Sequence, residues 1–255
     1  MSNQVHRQDE LRALLERLNL GGMAAVCADL ALKAAKENLS HEAYLFELGK
    51  YEEELRTQRR TARLLRASAL PPDKTFRNFD LKCLPVGLQL QIERLKGGGF
   101  LSSATNVVAA GLPGVGKSHI AAALGYELIL QGYPVLWTPT SNLVQRLLAA
   151  KRDLRLPQEL AKLDKFACVI LDDIGYVQQN REEMEVLFTL LAERYERKSV
   201  LITSNLVFSK WDQIFKDTMT TAAAVDRVVH HSVILELAIE SYRARAAKER
   251  ASAGR

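Results

Sequence analysis

The run Gly111-Leu112-Pro113-Gly114-Val115-Gly116-Lys117-Ser118 is suited to cradling the phosphates of a nucleotide. Its glycines let the backbone turn tightly and point successive N–H groups inward at the start of a helix. Lys117 sets a point charge against the β- and γ-phosphates, and the Ser118 hydroxyl is an oxygen ligand for Mg²⁺. A glycine-rich turn without a ligand is the plainer alternative, but the flanks favour the cradle. Residues 105–110 read as a buried strand and 119–131 as a helix, the order such a loop needs.

Two carboxylates, Asp172 and Asp173, end the apolar run 166–171, about fifty residues after the loop. Magnesium takes few carboxylates and keeps much of its water, so Asp172 is the expected metal residue beside Ser118. Asp173 is placed to orient or deprotonate an attacking water. An Asp-Asp pair at a surface turn would look the same in isolation. Asn205 ends another apolar run, 199–204, where it could bond the γ-phosphate or the lytic water. Arg227 comes just before the last apolar run, 231–237. At a sheet edge it would lie away from its own loop and serve a neighbouring subunit's nucleotide, unless it only pairs with Asp226.

Five strands, 105–110, 133–138, 166–171, 199–204 and 231–237, are expected to carry these groups. They alternate with helices at 141–152, 157–164 and 182–197, which predicts an α/β fold with a parallel sheet covered on both faces. Residues 1–70 read as all-helical. Leu11, Leu14, Leu15 and Leu18 mark a first helix that Gly21-Gly22 stops, a second runs 23–38, and Ser40 caps a third reaching about Ala69. On the third, Tyr44, Leu48, Tyr51, Leu55, Ala62 and Ala69 fall on one face, with Arg59, Arg63 and Arg66 along its edge. Residues 71–100 read as a connector rich in proline and glycine, 101–243 as the nucleotide domain and 244–255 as a flexible basic tail.

The 255 residues carry 35 Lys and Arg against 30 Asp and Glu, a modest excess whose placement matters more than its size. One cluster holds Arg56, Arg59, Arg60, Arg63, Arg66 and Lys74, a second Arg146, Lys151, Arg152 and Arg155, and a third lies in the tail. Such clusters attract polyanions, nucleic acid above all, although each alone could be a solvated face. No apolar stretch is long enough to span a bilayer, and the first residues lack a secretory segment. Three cysteines without metal-like spacing fit a reducing cytoplasm.

The ordered set resembles the AAA+ ATPases, more narrowly the helicase-loader branch typified by DnaC, and within it the IstB-like helper ATPases of insertion sequences. The resemblance runs through Gly111 to His119, Val169 to Gly175, Ile202-Thr203-Ser204-Asn205-Leu206, Phe208-Ser209-Lys210-Trp211, Val225 to His230 and Glu240-Ser241-Tyr242-Arg243. It implies ATP and Mg²⁺ as cofactors, with Gly111, Pro113, Gly114, Val115, Gly116, Lys117, Ser118 and His119 holding the nucleotide. It matches Arg227 to an arginine finger and Arg243 to a second sensor arginine. It also implies a helical N-terminal domain that binds a transposase of the IstA-like kind, homo-oligomers sharing ATP sites, and contact between residues 141–164 and double-stranded DNA. Arg146, Lys151, Arg152 and Arg155, with Arg59 and Arg63 on the N-terminal helix, are then the expected DNA-binding cations. Asp173 stands where most AAA+ members carry glutamate, and the chain after Arg243 leaves no room for a helical lid, so the lid is expected to be absent or reduced. A replicative helicase loader, and a DNA-bending scaffold that binds ATP without meaningful hydrolysis, are the competing readings; a small-molecule kinase lacks a substrate pocket.

Overall fold

A computed structural model of the chain describes residues 2–176, 181–206, 231–239 and 241. The chain divides into two compact units, residues 1–63 and 64–255. The first holds α1 (Ser2–Arg17), α2 (Gly21–Glu37) and most of α3 (His41–Ser68), around Cys27, Leu30 and Leu48. The expectation that Gly21-Gly22 stops the first helix is corrected: α1 ends at Arg17, closed by Asn19 in the left-handed region (φ +58°), and the glycine pair opens α2. A Cβ on Gly22 would stand 2.8 Å from the Glu52 Cα on α3, so only glycine allows this approach. It lets Glu52, 5% exposed, accept from the amides of Gly22 at 2.7 Å and Met23 at 3.3 Å, two donors that the start of α2 leaves unpaired. Arg56 closes the arrangement, giving Nε to Glu52 at 2.6 Å and Nη2 to the Asn19 carbonyl at 3.1 Å. Burial works to raise the Glu52 pKa, but the hydrogen bonds from Arg56, Gly22 and Met23 outweigh it and hold the carboxyl below its ordinary range. The expected apolar face of α3 is therefore corrected: Leu48 and Glu52 are buried, whereas Tyr51, Ala62 and Ala69 are exposed.

The second unit is built on β1 (Asn106–Gly111), β2 (Val135–Pro139), β3 (Cys168–Asp172), β4 (Ser199–Ser204) and β5 (Ser232–Leu237). All neighbours are parallel, in the order β2-β3-β4-β1-β5. Side chains alternate between two cores. Val107, Ala109, Cys168, Ile170 and Leu201 meet α4 (Val86–Lys96) and α5 (Lys117–Leu130) on one face. Val108, Val169, Leu171, Val200 and Ile202 meet α6 (Thr140–Arg152), α7 (Leu156–Leu163) and α8 (Arg181–Arg194) on the other. Both faces are covered, as the sequence pattern requires. Arg194, 2% exposed, ties the lower end of this sheet together. Its guanidinium donates to the carbonyls of Leu163, Phe166, Ala167 and Ser199 at 2.9–3.2 Å, fixing where β3 and β4 begin.

Helix α4 corrects the expectation of a plain connector over 71–100. Leu88, Ile92 and Leu95 recur at helical spacing and are buried against α5 and the sheet, and Gly97-Gly98 end the helix. Among the described residues no helix is long and apolar enough to cross a membrane.

Candidate nucleotide-binding site

The carboxyl ends of β1, β3 and β4 lie side by side and aim their following residues at one cleft, of about 860 Å³. The loop after β1 is pinned at its middle by Val115, 1% exposed, and leads straight into α5. Gly116 holds φ at +96°, and a Cβ there would stand 2.6 Å from the Phe79 ring, so conformation and space both exclude a side chain. Lys117 opens α5, is 6% exposed, and donates its Nζ to the Leu112 carbonyl at 2.8 Å. Pro113, Gly114, Ser118 and His119 also line the cleft, and a loop of amides before a helix is a ready anion cradle. Gly111, the last residue of β1, stands behind it.

Parallel pairing of Leu171 with Ile202 sets Asp172 next to Thr203. The Thr203 hydroxyl donates to Asp172 Oδ1 at 2.7 Å and accepts from the Asp173 amide at 2.8 Å. The Thr140 hydroxyl holds the Asp172 carbonyl at 3.0 Å. Asp173 carries φ of +64° and takes the Asn205 Nδ2–H on its Oδ1 at 2.9 Å. Burial, then the neighbouring Asp172, push the Asp173 carboxyl above its ordinary pKa, against the opposing pull of Lys117 and the Asn205 bond. Lys117, Asp173, Thr203 and Asn205 thus share one cleft, three of them joined directly because Asp173 bonds both Thr203 and Asn205.

Sequence reasoning passed over Thr203, because threonine inside a strand reads simply as a β-former. It also missed the segment 73–83, which lines the same cleft through Lys74, Arg77, Asn78, Phe79 and Cys83. The His119 Nε2 bonds the Thr75 carbonyl at 2.8 Å and its ring lies 5.1 Å from that of Phe79, tying this segment to the phosphate loop. Two phenylalanines, Phe76 and Phe79, in a mostly polar stretch flanked by prolines were the available signal.

The expected DNA-binding cations lie on α3, on α6, where Arg152 is exposed, and, for Arg155, in the turn between α6 and α7. Arg59 and Arg63 are exposed on α3. Arg146 pairs with Glu159, whose carboxyl is held low by Lys162 and Arg146 against the pull of burial. Lys151 pairs with Glu185 at 2.8 Å, and Arg155 pairs with Asp153. Arg227 and Arg243, the motifs around them, and the expectation of a missing lid lie outside the described residues.

The family described as IstB-like ATP binding protein matches residues 13–251 of the chain. An insertion sequence ATP-binding protein of Sinorhizobium fredii is 40% identical over 98% of this chain and 85% of its own length. The insertion sequence IS21 ATP-binding protein of Pseudomonas aeruginosa is 38% identical over 96% of this chain and 91% of its own. Among solved structures, AMPPCP-bound DnaA from Aquifex aeolicus superposes with a TM-score of 0.55 at 19% identity, covering 72% of this chain and 56% of that one.

Proposed function

Because the chain belongs to the IstB-like ATP-binding protein family, we propose that it binds and hydrolyses ATP between neighbouring copies of itself on duplex DNA, and so brings a transposase to its target. The observation that carries this reading is the convergence of Lys117, Asp173, Thr203 and Asn205 on one cleft at the carboxyl edge of a parallel sheet. Its volume of about 860 Å³ suits a nucleotide.

Each residue has a chemical task. Backbone amides of the loop and the Lys117 ammonium hold the β- and γ-phosphates. Ser118 and Asp172 offer a hydroxyl and a carboxylate, a hard oxygen pair that fits Mg²⁺ with most of its water retained. The bound ion would supply neutralisation of phosphate charge. Asp173 accepts the proton of the attacking water as its oxygen bonds the γ-phosphorus; the bond to the β–γ bridging oxygen breaks and ADP leaves with that electron pair. A carboxyl raised above its usual range is the better matched base near neutral pH. Asn205 fixes the orientation of Asp173, and Thr203 that of Asp172. Phe79, beside Gly116 and His119, offers a flat apolar face to the base. Arg227 from the adjacent copy adds the last positive charge, with Arg243 as a further sensor. The helical unit serves as the transposase-binding module, and the basic residues of α3 and the α6–α7 pair meet DNA phosphates. All three cysteines are unpaired, consistent with the cytoplasm as the working compartment.

The shared site is tested by complementation. Lys117→Ala and Arg227→Ala should each abolish turnover, and Arg227→Ala should still bind ATP. Mixing the two variants should recover part of the rate, since one supplies an intact loop and the other an intact arginine. Full turnover by Arg227→Ala alone would overturn the mechanism.

A further inference from the structure

Leu154, at the tip between α6 and α7, is 88% exposed and holds φ at +56°. The backbone closes α6 in the manner of a Schellman motif. Arg155 donates its amide to the Ala150 carbonyl at 2.7 Å, and Leu154 to that of Lys151 at 3.1 Å. Leu154 thus fills the left-handed position that glycine takes most often, because a Cβ opposes that conformation. A branched side chain is disfavoured there twice, by backbone strain and by apolar surface left in water. The hydrophobic contact that usually accompanies the motif is made by the next residue, which here is the exposed Arg155; Leu156 is the one that packs on the core. Nothing within the hairpin explains the leucine.

The charge around it indicates an occupant. Lys151, Arg152 and Arg155 flank the tip; Lys151 is paired with Glu185 and Arg155 with Asp153, both exchangeable at the surface, and Arg152 makes no ion pair with the described residues. An apolar knob ringed by cations matches a duplex, whose phosphates lie outside and whose stacked bases lie within. We propose that Leu154 is a wedge that enters the minor groove and opens a base step while the cations beside it grip the backbone. This rests on the DNA-binding reading above and adds the residue that would deform the duplex.

The test uses full-length protein with a slowly hydrolysed ATP analogue on a long duplex. Unstacked thymines are mapped by permanganate, and bending is followed by energy transfer between the duplex ends. Wild-type protein should create reactive thymines and a bend. Leu154→Gly should lose both and bind about tenfold more weakly, yet melt no earlier than wild type because glycine suits the turn. Leu154→Met should restore the reactivity. A glycine variant that marks and bends the duplex like wild type overturns the wedge and leaves the DNA reading intact. Wild-type protein that fails to bind duplex overturns both. Loss of self-association by the glycine variant without DNA would assign Leu154 to a contact between copies, and would also overturn the wedge.

Discussion

Asp173 is held in two unfavourable ways at once, with a left-handed backbone and a carboxyl whose ionisation burial and Asp172 oppose. The left-handed backbone goes with a carboxylate oxygen that Asn205 holds at 2.9 Å. Strain of this kind is expected where geometry serves chemistry rather than stability. Below the ordinary carboxylate range the wild-type side chain is neutral, and replacing it with Asn changes little. As pH rises from the ordinary carboxylate pKa to the raised folded one, the unfolded chain ionises first, and the resulting loss of stability, complete above the folded value, is one that Asp173→Asn avoids. The variant should therefore melt a few degrees higher at neutral pH, an advantage that fades on acidification, while its turnover falls about 10²- to 10⁴-fold. Calorimetry across pH and a phosphate-release assay check the two halves. At this scale the sequence was legible where chemistry imposes spacing: the loop and the acid pair could be read directly. Thr203 and Phe79 could not, since their roles arise from strand register and from a segment folding back over the loop.

Elements were legible to the extent that burial was periodic. All five strands lie within two residues of the expected bounds, because the central β1, β3 and β4 are buried on both faces and the edge strands β2 and β5 still carry apolar runs. Helix α4 was hidden by the prolines and glycines around it, although Leu88, Ile92 and Leu95 carry a helical period. The stripe on α3 misled because its centre is a carboxylate. Glu52 is buried not for lack of charge but because Gly22, Met23 and Arg56 satisfy it. Its pKa is depressed in the fold, so its contribution is present above the ordinary carboxylate pKa and is lost as pH falls through the folded value. Glu52→Gln should destabilise the helical unit by about 1–3 kcal/mol at neutral pH. That difference should shrink as acid protonates the wild-type side chain, which helix loss by circular dichroism at several pH values would show.

At the scale of the molecule, the basic residues do not act as equal counters. Arg146, Lys151 and Arg155 hold acidic partners, and each must release one before meeting a phosphate. Arg152 has none to release among the described residues. Arg152→Ala should flatten the dependence of log affinity on log salt by about one unit, and Lys151→Ala by less, in duplex titrations over a range of ionic strength. The strand order carries a consequence of another kind. β1 pairs only with β4 and β5, so the strand bearing the phosphate loop finds no sheet partner until the chain has been made beyond Ser199. Even the Asn106 side chain waits for the Val200 amide. On the ribosome, then, the helical unit can mature early while an unpaired apolar β1 stays in the nascent chain until β4 has been made, the interval in which a chaperone would be needed to keep it from aggregating.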